Sequence, residues 1–279
     1  MKKLPIIYHT LMRHILSRGH SQTNMRTNTS VRTLPYPAHI LLDLSEGYLP
    51  LAGNRTIYPK VAAAELAWQL QGTKDPDFIM KHAPKVWGKF IEDGVIENAY
   101  GYRWIQHFGR NQISDAISLL KADSSSRQAH ISIWDSLFDG SDKPEYCHKN
   151  VPCITDLTIN IINNKLNIAV NMRSSDVYVG LPYDLLTYAM LLDAFAASLK
   201  CDRGYLSFHL ANAHIYEPQL ASADKETNQL VKTWQENVQK IKMPGLTIEQ
   251  IIADPEAYVA YFKTIKIANF NGTLPEVVA

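Results

Sequence analysis

The chain has 279 residues, of which 46% are hydrophobic and 20% charged, with a formal net charge of +1. That is enough apolar matter for a sizeable core, and it lacks the basic field that a nucleic-acid polymer requires. Three cysteines, Cys147, Cys153 and Cys201, are too few and odd in number for a disulfide scaffold, and no C-x-x-C pair suggests structural zinc.

A reducing, cytoplasmic setting is therefore expected. His9, Thr10 and Arg13 interrupt any signal-peptide core, and no stretch reaches the ~20 apolar residues of a membrane span. The first periodic segment, 6–16, places Ile7, Leu11, Ile15 and Leu16 on one helical face, and Arg18-Gly19 ends it. Residues 21–30 are polar and turn-rich and read as a solvated loop containing Arg26. The next helix, 61–71, is apolar nearly all round, with Gly72 as its C′ stop. Glu65 sits in its middle, either on an exposed face or enclosed with a partner or a raised pKa.

Val86-Trp87 and Ala99-Tyr100-Gly101-Tyr102-Arg103-Trp104 follow, then a helix over 112–121 and a polar turn holding Arg127-Gln128. Residues 129–134 have strand-like content, and 139–150 read as a loop in which Cys147 and His148 are too few for a metal site. Two strands, 157–161 and 166–172, flank the turn Asn163-Asn164. The apolar positions of 183–199 recur at helical spacing, and 204–209 reads as a strand running into Asn212-Ala213-His214-Ile215-Tyr216. Helical pattern returns over 227–242 and 247–261, broken at Pro255. Asp184 falls where a helix cap is needed, so capping alone would account for it. There is no internal repeat, Walker loop or dinucleotide fingerprint. Periodicity supports a mixed α/β (α+β) class, read as one domain over 1–279 with 217–279 a helical C-terminal region.

Val151-Pro152-Cys153, the run Asn171-Met172-Arg173-Ser174-Ser175-Asp176-Val177 and the late His214-Ile215-Tyr216 together resemble the thymidylate synthase superfamily. So do Glu65-Leu66-Ala67-Trp68-Gln69-Leu70-Gln71-Gly72 and the Tyr100 segment. Asp184 stands where synthases carry asparagine, and Ile154 where they carry histidine. Both departures, with the 171–177 run, point to the phage deoxycytidylate hydroxymethylase branch, which would place the protein in a host cytoplasm. The synthase-like ending Leu274-Pro275-Glu276-Val277-Val278-Ala279 argues mildly the other way.

The resemblance implies a large curved mixed sheet covered by helices, with the sheets of two subunits packed back to back. It implies a pyrimidine nucleoside monophosphate substrate and 5,10-methylenetetrahydrofolate as cofactor. Cys153 would add to C6 of the base as thiolate, its charge favoured by Arg173. C5 would then take up the one-carbon unit, finished by hydride to give methyl or by water to give hydroxymethyl. Glu65 would order water and proton transfers, and Tyr100 would stand near C5 for proton abstraction or water positioning. Arg26, Arg173 and Ser174 would hold the phosphate together with Arg127, which reaches across the dimer beside Gln128. His214 and Tyr216 would meet the sugar, and Asp184 the base. Trp87, Asp176, Gly180 and Ala279 would form the folate side. Alternatives are a cytidylate or deoxyuridylate methylase, a CMP hydroxymethylase, or a retired synthase fold serving as a binding protein.

Overall fold

A bent sheet organises the protein, as seen in a computed structural model that describes residues 4–25, 28–51, 57–140, 148–228, 240–263 and 265. In chain order, helix α1 (Leu4–Arg18) leads into strands β1 (His20–Asn24), β2 (Thr29–Thr33) and β3 (Ala38–Asp43). Helices α2 (Pro59–Leu70), α3 (Asp77–His82), α4 (Pro84–Trp87), α5 (Tyr100–Tyr102) and α6 (Gln112–Ala122) follow. Next come β4 (His130–Ser132), β5 (Ile154–Ile162), β6 (Lys165–Met172), β7 (Ser175–Asp176) and the long helix α7 (Leu181–Leu199). The described elements end with β8 (Asp202–Leu210), β9 (Ala213–Tyr216), α8 (Leu220–Asn228), α9 (Ile248–Ala253) and α10 (Pro255–Lys263).

Hydrogen bonding groups the strands as β1-β2-β9-β7 and β3-β8-β6-β5-β4. The two sets are limbs of one sheet, because the chain runs from β2 to β3, from β6 to β7 and from β8 to β9 across only a few residues. Pairing keeps the same sense on both sides of the crease: β2–β9 and β3–β8 are antiparallel, β7–β9 and β6–β8 parallel. Backbone bonds from Ala211 N–H to Met172 O and from Ser175 N–H to Asn212 O, both 2.9 Å, carry the register through the bend. The expected curved mixed sheet is thus present, folded sharply at 173–174 and 211–212.

The core lies between the sheet and α7. Leu185, Leu186, Leu192 and Phe195 of α7 are fully buried, as are Leu157, Ile159, Ile168, Val170, Leu206 and Phe208 on the facing strands. Each such side chain contributes about 1.5–3 kcal/mol on burial. Helix α2, with Ala62, Ala63, Ala64, Leu66 and Trp68 buried, packs on α7, and α10 packs on α2. The β5–β6 turn uses Asn163 and Asn164 at φ 50° and 58°, the left-handed pair a tight hairpin demands. Pro255 opens α10, and Thr247 caps α9 in a capping box with Gln250. Among the described residues no helix is long and apolar enough to cross a membrane.

Three local expectations are corrected. Residues 21–30 are not simply a loop: β1 and β2 form a hairpin on the sheet edge, and β1 is exposed throughout, so it shows no alternation. Helix α7 begins at Leu181 rather than at 183, because Pro182 is accommodated in its first turn. Of the helix expected over 227–242, only 227–228 are seen in a helix, at the end of α8 (Leu220–Asn228). Residues 229–239 lie outside the described residues, and at 241–243 the chain is extended, pairing with the segment around Tyr48.

Candidate active site

A cleft of about 520 Å³ opens at the crease of the sheet. Glu65, Trp87, Tyr100, Cys153, Arg173, Ser174, Asp176, Gly180, Asp184, His214 and Tyr216 all line it. These side chains come from α2, α4, α5, the entry to β5, the β6–β7 bend, the turn into α7 and β9. Their sequence separation is closed by the fold. Arg127 and Gln128 are exposed on the turn after α6 and do not reach this cleft. Arg26 and Ala279 lie outside the described residues.

Cys153 is half-buried and reduced, immediately before β5. Its backbone N–H donates to the Tyr100 hydroxyl at 2.9 Å, and its carbonyl accepts from Arg173 N–H at 2.9 Å. The Arg173 guanidinium donates to the carbonyls of Pro152 (2.7 Å) and Val151 (3.2 Å) and stacks on Trp134 at 5.3 Å. One arginine thus braces the strand entry that presents the thiol while its own fork lines the cleft.

Tyr100 reaches the cleft because Gly101 lets α5 pass directly against α2: a Cβ at Gly101 would lie 1.9 Å from the Gln69 carbonyl oxygen. Burial, with further contributions from Cys153 and Asp184, holds the Tyr100 hydroxyl well above the usual phenol range. It is a protonated donor at neutral pH. Glu65 touches the cleft but is otherwise ringed by protein, and loss of hydration pushes its carboxyl up to about 7. Gln69 Nε2 donates to it at 3.1 Å, and the Trp87 indole N–H lies on its side without reaching hydrogen-bond geometry. The enclosed reading of Glu65 holds.

Gly180 is the N-cap of α7 and Asp184 stands inside the first turn, so Asp184 is not the cap of the helix. Burial first, then the nearby charges of Glu65 and Asp176, raise its carboxyl well above the usual range. The helix N-terminus pulls the other way, by up to about 2 kcal/mol in a partly buried geometry, and desolvation wins. Asp176 Oδ1 accepts from the N–H groups of Tyr178 and Val179, both at 3.1 Å, which shapes the turn into Gly180 and α7.

His214 is buried, and burial holds its ring below the usual histidine range, so it is neutral. The side-chain oxygen of Asn212 (3.0 Å) and its carbonyl (3.4 Å) both face Nδ1, which assigns the proton there and leaves Nε2 as an acceptor. The Tyr216 ring stands edge-on to it at 5.3 Å. Sequence reasoning did not single out Asn212, Asn150, Phe90 or the hairpin residues Gln22 and Asn24, all of which line the cleft. Asn212 carried a signal in its place two residues before His214. The others carried none.

Among the described lining residues Arg173 is the only permanent cation, set against three carboxyls. His148 Nδ1 lies 3.8 Å from Glu92 Oε2, and Cys147 is outside the described residues. Among the described residues no three His, Cys, Asp or Glu side chains gather as a metal site would need.

The arrangement offers a thiol beside an arginine, a buried acid–base pair and a flat apolar wall at Trp87 and Phe90. This suits covalent activation of an electron-poor ring with a second flat ring stacked above it. The family model for thymidylate synthase matches residues 6–274. The chain belongs to the thymidylate synthase family, the folate-dependent one-carbon transferases that act at C5 of a pyrimidine nucleotide.

Proposed function

We propose that the protein is a deoxycytidylate 5-hydroxymethylase: the C5 hydrogen of dCMP leaves as a proton, a one-carbon unit takes its place, and water supplies the hydroxyl. The observation that carries this reading is the Asp184 carboxyl, which lines the cleft from inside the first turn of α7, whose cap is Gly180. A carboxylate accepts from the cytosine N4 amino group, and it has no proton to offer the O4 of uracil. Methylenetetrahydrofolate supplies the one-carbon unit, and the wall of Trp87, Phe90 and Val179, with Asp176 at its edge, fits a flat, hydrogen-bonding heterocycle.

In this reading Arg173 and Ser174, with Arg26, hold the phosphate. His214 Nε2 accepts from the sugar hydroxyl beside Tyr216. Cys153 adds to C6 and makes C5 nucleophilic, while Tyr100 donates toward the base or its water. Glu65, poised near neutrality, accepts the proton of the attacking water. Ile154 follows Cys153 and is fully buried, so no side chain from that position enters the cleft.

The assembly belongs to the same proposal. The sheet face opposite α7 carries Thr158, Asn160, Asn167, Asn171 and Ser207 in half-exposed positions. A second copy of the chain packed on this face would bring Arg127 and Gln128 to the partner's phosphate site. Sedimentation tests it: a monomer at micromolar concentration contradicts shared phosphate sites. The activity is tested by mass spectrometry of dCMP and dUMP incubated with the protein and methylenetetrahydrofolate. A gain of one CH2O unit on dCMP is expected; a gain of one CH2 unit on either nucleotide overturns the hydroxymethylase reading.

A further inference from the structure

We propose that Arg103 is a positioning residue for the Cys153 thiol, acting through an amide clamp between Asn98 and Asn150. Arg103 is 1% exposed and lies outside the cleft, at the start of a turn of π-helix (Arg103–His107) that continues α5. Its guanidinium donates to Asp139 Oδ1 at 3.0 Å and to Asn98 Oδ1 at 2.6 Å. The Asn98 amide nitrogen donates to the Asn150 carbonyl at 2.6 Å, and the Asn150 amide nitrogen returns a bond to the Asn98 carbonyl at 3.1 Å. Asn150 lines the cleft three residues before Cys153.

The connection has a direction. An asparagine amide can present either its oxygen or its nitrogen to a neighbour. With the Arg103 guanidinium on one side, the Asn98 oxygen is held toward the charge and the nitrogen toward the Asn150 carbonyl. Without that charge the amide is free to turn, which would bring two oxygens face to face and open the clamp. Segment 150–153 then keeps the bonds of Arg173 to Val151, Pro152 and the Cys153 carbonyl and that of the Cys153 N–H to Tyr100, but loses the bond from the Asn98 amide to the Asn150 carbonyl. Asn98, Tyr100 and Arg103 belong to one short stretch of chain, so the buried ion pair, the clamp and the tyrosine contact move together. Small displacements matter here: a reacting atom shifted by about 1 Å can cost about 10²-fold in rate.

This inference rests on the reading of Cys153 as the nucleophile. It does not depend on which pyrimidine nucleotide is the substrate. Asn98→Asp is the sharpest variant. The new carboxylate keeps the Arg103 contact and the side-chain volume but cannot donate to the Asn150 carbonyl. The pair Arg103→Met with Asp139→Asn removes the buried charges together and leaves neither stranded. In both, kcat should fall by about 10²-fold and the alkylation rate of Cys153 by iodoacetamide should change, while nucleotide Kd and the cooperative melt are retained. If the double variant does not fold, Asn98→Asp decides alone. A folded Asn98→Asp protein with wild-type kcat and alkylation rate overturns the proposal, as does a parallel loss of kcat and nucleotide affinity. Cys153→Ala, assayed alongside, separates the two ideas: activity retained there overturns the nucleophile itself.

Discussion

The backbone N–H of Cys153 donates to the hydroxyl oxygen of Tyr100 at 2.9 Å, tying the candidate nucleophile to the tyrosine across 53 residues of sequence. With that oxygen accepting from Cys153, the phenol proton is directed elsewhere. The hydroxyl is also held far above the usual phenol range by burial, so it does not ionise at working pH. Tyr100 is therefore a donor, and positioning of water or base is favoured over proton abstraction by a phenolate. Tyr100→Phe should slow turnover by about 10²-fold while the shape of the pH–rate profile stays the same. A pH limb that vanishes with the hydroxyl would show that the phenol titrates after all.

The second prediction separates the cysteines. Cys153 faces the cleft beside Arg173, whereas burial and the charge of Asp202 push the Cys201 thiol up and make it unreactive. Cys153→Ala should abolish turnover and leave nucleotide binding intact, because the phosphate and sugar contacts do not use the thiol. Cys201→Ala should leave turnover unchanged. Equilibrium binding of dCMP to the Cys153→Ala protein, set beside its turnover, checks both halves.

Much of this geometry could be read from the chain, for identifiable reasons. Helices α2 and α7 carry apolar residues at helical spacing, and the β5–β6 hairpin turns on Asn163-Asn164, whose side chains tolerate the left-handed region. Strand β1 was illegible because it is exposed on both faces, so its residues carry no alternation, and its place follows from its pairing with β2. Within the site, the reacting side chains sit in recognisable phrases. Their states do not. Whether Asp184 is charged depends on its burial and then on Glu65 and Asp176, brought beside it from different elements, and Arg103 meets Asn98 and Asp139 only in three dimensions.

Glu65 supplies the third prediction. Its carboxyl, raised to about 7 by burial, is mostly protonated in mild acid and ionised in mild base. If it accepts the proton of the attacking water, activity should rise as pH increases through neutrality. Glu65→Gln preserves shape but cannot take the proton, so the rate should fall by about 10²-fold or more and the limb should disappear. A pH–rate profile of the variant that overlays the wild type would make Glu65 a structural residue.

The last prediction concerns base selection by Asp184, whose protonation the fold makes pH-dependent. Neutral cytosine presents an N3 acceptor beside an N4–H donor, and uracil presents N3–H beside an O4 acceptor. A protonated carboxyl has one donor and one acceptor oxygen and can pair with either base. An ionised carboxylate only accepts: against neutral cytosine it takes N4–H and opposes N3, against uracil it takes N3–H and opposes O4, and only cytosine protonated at N3 gives it two bonds. Opposed acceptors in a desolvated site are costly, so such a carboxylate favours the base that can take up a proton at N3, which is cytosine. Because burial and the charges of Glu65 and Asp176 raise the Asp184 carboxyl, its acid form extends to higher pH than for an ordinary aspartate. The second bond to cytosine needs a proton held at Asp184 or at cytosine N3, so dCMP turnover should fall as pH rises and that proton is lost. Asp184→Asn, which carries a donor and an acceptor at every pH, should flatten that dependence and move preference toward dUMP. The measurement is kcat/KM for both nucleotides across pH, in wild type and variant. A wild-type protein that prefers dUMP throughout, or a variant with an unchanged ratio, would remove Asp184 from base recognition and the cytidylate reading with it.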